Sequence, residues 1–338
     1  MMPAISRNYP LYIGSVLSVL LIGLALLGPS LAPRDPMQGT GVIFVDGVVY
    51  GPNPMRALGP FMSVDYPLGL DIVGRDILSR LLWAVRPTLL LCAAIVLARL
   101  AIGILLGLLA GWFGGRVAYL VDGLISVCVS VPLLVVAIAV LTALSHLPGL
   151  VVFVLALTLT AWCDTAALVK SRTQVVLQAP FIESARAIGR RSGGLLWQHV
   201  LPQLWSLIPM LIAFELSAAL LVVAELGYLG YFIGGGFVYE DSVGNFDKQY
   251  LQTAGYPELG QMLSQFFLQL YRTPWASLFA GTLTVLALIG FTLLGEGLRR
   301  SLDITRPRPA RWRLWLRRAA PRPGEQEQPA LAQTQRHT

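Results

Sequence analysis

Six apolar stretches limit what this chain can fold into more than any other feature. They cover residues 11–28, 88–111, 117–141, 149–168, 204–224 and 275–295. A helix needs roughly 20 consecutive apolar residues to cross a hydrocarbon core of ~30 Å, and each stretch meets that length. Only 13% of the residues are charged, against about 25% in a soluble domain. The sequence therefore predicts an all-α membrane protein, a polytopic bundle of six transmembrane helices. Residues 11–28 also resemble a secretory leader, but they exceed the roughly 7–15 apolar residues of one, so an uncleaved first helix is expected. Pro132 and Pro209 fall inside two of the stretches and are expected to kink them.

Between the fourth and fifth stretches lies a polar, basic island, PFIESARAIGRRSGGLLWQHVLP, residues 180–202. Pro180 suits the first position of a helix, and Gly189 the position just past its end. Phe181, Ala185 and Ile188 stand at i, i+4 and i+7, which predicts one shared apolar face. Glu183 lies near the positive end of the helix dipole, and Arg190 and Arg191 follow its negative end. Isolated helices under roughly 12–15 residues barely form in water. This one is therefore expected to pack on something.

The order Glu183-Ser184-Ala185, Gly189, then His199, Leu201 and Pro202 resembles the EAA loop of ABC-importer permeases. Its His-x-Leu-Pro ending resembles the dipeptide/oligopeptide branch. The resemblance implies that Glu183, Ser184, Ala185, Gly189, His199 and Pro202 belong to a cytoplasmic coupling helix docking on a separate ATPase subunit. A solvated amphipathic connector is the plainer alternative, and it leaves the downstream His-x-Leu-Pro without a reason.

A second informative stretch is 66–80, YPLGLDIVGRDILSR. Asp71 and Arg75, and Asp76 and Arg80, stand four apart and can pair along a helix. Pro67, Leu68, Gly69, Asp71, Gly74, Arg75 and Asp76 are similar to the segment before the second membrane helix of the same branch. Tyr66 and Leu70 depart from it, where His and Thr are usual. More loosely, 226–230 and 257–263 resemble the branch's outer-loop patterns, around an unusual insertion at 231–256. Residues 294–303 are close to its Leu-Gly-Asp-x-Leu-Arg-x-x-Leu-Asp ending. Upstream, 41–50 reads as a hairpin around Asp46-Gly47.

Lysine and arginine set the expected orientation. Lys170, Arg172, Arg186, Arg190 and Arg191 lie between stretches four and five, and eight arginines from Arg299 to Arg318 follow the sixth. The first long loop balances its charges, and the loop after stretch five sets Glu240, Asp241, Asp247 and Glu258 against Lys248 and Arg272. The expected organisation is a permease domain over 1–303, with extracytoplasmic loops at 29–87 and 225–274 and a cytoplasmic coupling loop at 170–203. A disordered basic cytoplasmic tail, 304–338, is expected to touch anionic membrane lipid. Both termini are then cytoplasmic, and the net charge of +7 reflects topology and not nucleic-acid binding.

The resemblance implies the C-type permease subunit of a type I, ATP-driven importer in a bacterial cytoplasmic (inner) membrane. The solute is a peptide or related compound delivered by an extracytoplasmic solute-binding protein. A different permease completes a heterodimer, and ABC ATPase subunits drive it. The chain has no G-x-x-x-x-G-K-[ST] run, and its two lysines, Lys170 and Lys248, do not follow a glycine. It is expected to bind no cofactor, with ATP on the partner ATPase subunits, and to be no enzyme itself. His146 and His199 fall in loops at opposite faces and cannot form one acid–base site. Cys92, Cys128 and Cys163 lie inside apolar stretches and read as small apolar residues.

Charges inside the spans are expensive. Arg99 and Glu215 sit mid-span, either paired between helices or lining a translocation path. An ion-coupled secondary transporter would use them for coupling, and is the competing reading; a membrane-embedded enzyme would lack a catalytic set. Gly103, Gly107 and Gly111 recur every four residues, which permits close helix approach to a partner subunit or within the bundle.

Overall fold

The computed structural model describes residues 8–52, 55–233, 236–241, 249–254, 256–264 and 271–302. The expected basic tail lies outside these residues. The chain begins with α1 (Tyr9–Leu31), then a loop holding β1 (Ile43–Val45) and β2 (Val48–Tyr50), then α2 (Ile77–Phe113). Next come α3 (Gly115–Ser130), α4 (Leu133–Ala143), α5 (Gly149–Ala161) and α6 (Cys163–Leu177). The island folds as α7 (Pro180–Ala187), α8 (Ser192–Leu195), a π-helical turn (Leu196–Val200) and α9 (Leu201–Trp205). After α10 (Ile208–Tyr228) come β3 (Gly236–Asp241), β4 (Gln249–Ala254), α11 (Leu259–Leu263) and the final helix α12 (Pro274–Leu302).

Helices α1, α2, α10 and α12 are each long and apolar enough to cross a membrane. The other two expected spans are broken. Helices α3 and α4 meet at 84°, and α5 and α6 at 47°, so six spans result if each bent pair counts as one. Pro132 marks the first break. Val131 before it is extended, at φ −110° and ψ 131°, as the residue preceding a proline prefers. The expected kink is thus a full interruption. Pro209 is a different case: it occupies the first turn of α10, where its missing N–H costs nothing. It starts a helix and does not kink one, because the chain before it is already the separate helix α9.

Helix α2 is the centre of the bundle. It packs on α6, α1, α10 and α5, while α12 closes over α1 and α10. The apolar core runs through Leu91, Ile95, Leu157, Ala219 and Leu220, each 1% exposed or less. The glycine stripe faces inward. A Cβ at Gly107 would lie 2.5 Å from the Ala166 carbonyl oxygen, and one at Gly103 2.7 Å from the Thr165 Cβ. Close approach is therefore used between α2 and α6 of the same chain, and the stripe says nothing about a second subunit.

The first loop contains the expected hairpin. Ile43, Phe44 and Val45 pair with Tyr50, Val49 and Val48. Asp46 and Gly47 both have positive φ, 50° and 77°, the two-residue turn whose twist matches the strands. A second antiparallel hairpin, from Gly236↔Ala254 to Asp241↔Gln249, occupies the insertion.

Candidate functional site

Helix α7 has the predicted ends. Ala179 is extended before it, Pro180 sits in its first turn, and Ile188 is the C-cap. Gly189 adopts φ +80°. The Arg190 N–H donates to the Ala185 carbonyl at 3.2 Å, and the Gly189 N–H to the Arg186 carbonyl at 2.9 Å. This is the Schellman pattern, which satisfies the last carbonyls and demands a left-handed residue.

The predicted apolar face is corrected. Ile182 and Ala185 are the buried pair, 0% and 7% exposed, in the cluster with Val176, Leu195, Val200 and Leu204. Phe181 and Ile188 are 44% and 81% exposed. The helix stops at Ala187, so Ile188 leaves the helical period that would have aligned it. The Phe181 ring leans instead on His199, with centroids 6.1 Å apart. His199 lies in the π-helical turn, and Pro202 opens α9. Glu183, Ser184, Arg186, Gly189, Arg190 and Arg191 are all exposed. Helix α7 therefore has one face seated on its own bundle and another, mixed apolar and charged, open at the surface.

The 66–80 stretch forms a buried clasp and not a helix with two parallel ion pairs. Asp71 accepts from the Val73 and Arg75 N–H groups at 3.0 and 2.8 Å, and pairs with the Arg75 side chain at 2.8 Å. These contacts close a turn, not a helical repeat. Asp76 does not pair with Arg80. It is the N-cap of α2, accepting from the Ser79 N–H and hydroxyl, the role an aspartate fills best there. Arg80 turns to Asp71 at 3.6 Å, the Pro36 carbonyl at 3.0 Å and the Gln261 side chain at 2.6 Å. Gly69 and Gly74 supply the positive φ that folds the turn, 77° and 83°. One arginine thus ties the first loop to α11, 181 residues away. Arg80→Met is expected to lower stability by about 2–3 kcal/mol, the worth of charge-assisted bonds lost with their partners left buried. Faster proteolysis of the two hairpin-bearing loops, with an earlier thermal transition in detergent, checks it.

The structure brings Arg99 and Glu215 together. Arg99 of α2 pairs with Glu215 of α10 at 3.2 Å and donates to the Leu157 carbonyl of α5 at 2.9 Å. The Glu215 carboxylate also accepts from Thr165 of α6 at 2.7 Å. Both residues are buried, 1% and 8% exposed. Four helices therefore meet at one neutralised point. Asp122 of α3, half exposed, pairs with Lys170 of α6.

The sequence puts Glu225 at the start of a loop. In the structure α10 continues to Tyr228, so Glu225 lies in its last turns and lines a cavity beside α4, α11 and α12. Its spacing from Leu221 and Tyr228, i−4 and i+3, is the helical signal that was available.

Four long apolar helices and two bent pairs, with one short capped helix presented at the surface, make up a multi-pass membrane protein. Residues 103–304 match the family described as binding-protein-dependent transport system inner membrane component. The chain belongs to that family: it is a multi-pass permease subunit of an ATP-driven ABC importer. Family members work with ATPase subunits and binding proteins. The chain is similar to the dipeptide transport system permease protein DppC of Alkalihalophilus pseudofirmus, 31% identical over 74% of this chain and 75% of the relative. It is also similar to the di/tripeptide transport system permease protein DppC of Pseudomonas aeruginosa, 28% identical over 86% of each chain. The glutathione transport system permease protein GsiD of Pectobacterium atrosepticum is 31% identical over 70% of this chain and 71% of the relative.

Proposed function

We propose that this chain is the C-type half of a heterodimeric permease importing di- or tripeptides, or a related solute, across a bacterial inner membrane. A solute-binding protein delivers the solute at the side of the two hairpin-bearing loops. ATPase subunits bind at the opposite side, on α7, and hold the ATP; this chain binds no cofactor and catalyses no reaction. Both termini are cytoplasmic, residues 1–303 form the permease domain, and the basic 304–338 tail lies on anionic lipid. The arginine distribution supports the orientation, and the names of the relatives support the solute class. The observation that carries the coupling role is the shape of α7. One face is built into the apolar core, so a push on the exposed face reaches α6, α9 and α10 through packed side chains. ATP-driven closure would thereby switch the bundle between inward- and outward-open states.

The test is the complete importer reconstituted in proteoliposomes. Glu183→Arg places a positive charge at the positive end of α7, and Gly189→Val forces a branched residue into the left-handed region, at about 1–3 kcal/mol. Space does not forbid the valine, since nothing lies within 4 Å of a Cβ there; only the backbone does. Each variant is expected to insert and assemble normally, to keep ATP hydrolysis, and to lose peptide uptake. Uptake at the wild-type rate by both would exclude α7 as the coupling element.

A further inference from the structure

Glu258 stands at the N-cap position of α11, at φ −140° and ψ 147°, yet its side chain makes no capping bond. Its Oε2 instead accepts from the Ile233 N–H at 3.1 Å, 25 residues back. Ile233 belongs to the segment that leaves α10 after Tyr228. The bond therefore draws together the two sides of the neck from which the β3–β4 hairpin extends. Glu258 is 2% exposed. Its other oxygen, Oε1, is buried without a hydrogen-bond partner among the described residues, and no described cation stands close enough to pair with it. Beside it, the Leu259 N–H donates to the Thr88 hydroxyl of α2 at 3.1 Å. The titratable group facing it from α2 is the Cys92 thiol. From α10 come Val223 and Gly227, packed on Gly260, and from α12 Ala276 and Ala280, clustered with Leu259 and Met262; none of these titrates. Gly149 at the start of α5 backs Ile233, since a Cβ there would lie 3.2 Å from the Ile233 carbonyl oxygen.

A buried carboxylate is costly unless a cation or several hydrogen bonds compensate it. One backbone N–H and a dry second oxygen suit the neutral acid instead. A neutral carboxyl needs no cation, and its carbonyl oxygen still accepts from Ile233. Burial pushes the carboxyl up from 4.5 to about 7, outweighing the Ile233 bond, which favours the charged form. We propose that Glu258 is a proton-operated latch on the neck of the second long loop. With the proton bound, it holds Ile233 at the start of α11 and the neck is closed. When the proton leaves, the carboxylate is drawn into water, the bond to Ile233 breaks and the neck opens. In the opened neck the carboxyl is wet and titrates near its ordinary 4.5, against about 7 in the closed one. The closed neck thus binds the proton more tightly. Its advantage is full below pH 4.5, falls as pH rises, and is lost above about pH 7. The latch works the same way whichever solute is carried.

The test is hydrogen exchange of the full chain, in complex with its partner subunits in nanodiscs, at about pH 4.5 and about pH 8, either side of this window. The readout is the Ile233 amide, with the amides of the β1–β2 hairpin as internal reference for the chemical effect of pH. Relative to that reference, Ile233 is expected to exchange about tenfold faster or more at the higher pH, with a ceiling of about 300-fold from the difference between 4.5 and about 7. Glu258→Gln keeps the shape and the acceptor and has no proton to lose, so its Ile233 should exchange slowly at both pH values. Glu258→Ala removes the acceptor and should exchange fast at both. Equal relative exchange of the wild type at the two pH values would overturn the latch, as would a wild-type pH response in either variant. Infrared spectra of the wild type test it without any substitution. The carbonyl band of a buried protonated acid should be present at about pH 6, where ordinary carboxylates are ionised, and gone by about pH 8. Its absence at the lower pH would overturn the latch as well.

Discussion

Glu215→Ala is expected to destabilise this protein by about 3–5 kcal/mol, the usual result of stripping one partner from a buried ion pair. The Arg99 guanidinium would be left 1% exposed, holding only the Leu157 carbonyl. Thr165 would lose its acceptor as well. Arg99→Ala should behave alike for the opposite charge. Replacing both residues, Arg99→Met with Glu215→Leu, removes the charges together, and such replacements are often neutral or stabilising. Thermal unfolding in detergent should therefore rank the double variant well above either single one. Uptake sharpens the reading. If the pair only joins helices α2, α5, α6 and α10, the double variant transports. A double variant that is stable yet inactive would instead assign the pair to translocation.

Gly107→Leu is the second substitution with a large expected effect. The nearest atoms to a new Cβ are the Ala166 carbonyl oxygen at 2.5 Å, the Val169 Cβ at 2.9 Å and the Ala166 Cα at 3.1 Å. Two of these are backbone, so no side chain can swing aside; the helices themselves must separate. Overpacking a fitted core costs about 1–3 kcal/mol and at times more. Here the strain also pulls Thr165, the residue before Ala166, from Glu215. A loss of 3 kcal/mol or more is expected. Gly123→Ala is the control, since nothing lies within 4 Å of its Cβ. It should be neutral or gain up to about 1 kcal/mol from helix propensity. Equal transition temperatures for the two variants would contradict the α2–α6 packing.

The site was legible in unequal parts. The ends of α7 follow from local chemistry, because a proline lacks its N–H and a glycine tolerates positive φ wherever they stand. Its buried face did not follow. Periodicity assigned Ile188 to the helix, but the Schellman turn releases it one residue earlier, and Ile182 takes the core instead. The 66–80 stretch fared similarly. Spacing of four suggested Asp76–Arg80, yet an aspartate just before a helix is better placed as its cap, and Arg80 was drawn to Gln261 of α11, far along the chain.

What the sequence by itself determined is the solvent and the helical class. Six runs of about 20 apolar residues can satisfy their backbones in lipid only as helices, and the motifs identify the family because they are contiguous. What only the tertiary structure decided is which groups are compensated. Arg99 and Glu215 are 116 residues apart, as are no motif's residues, and their pairing depends on α2 and α10 meeting in the bundle. Glu215 and Glu225 look alike in the chain, two acids at either end of one apolar run. One is neutralised by a neighbouring helix and the other is partly exposed near the end of α10, because charge compensation is set by through-space distance, which sequence separation does not encode.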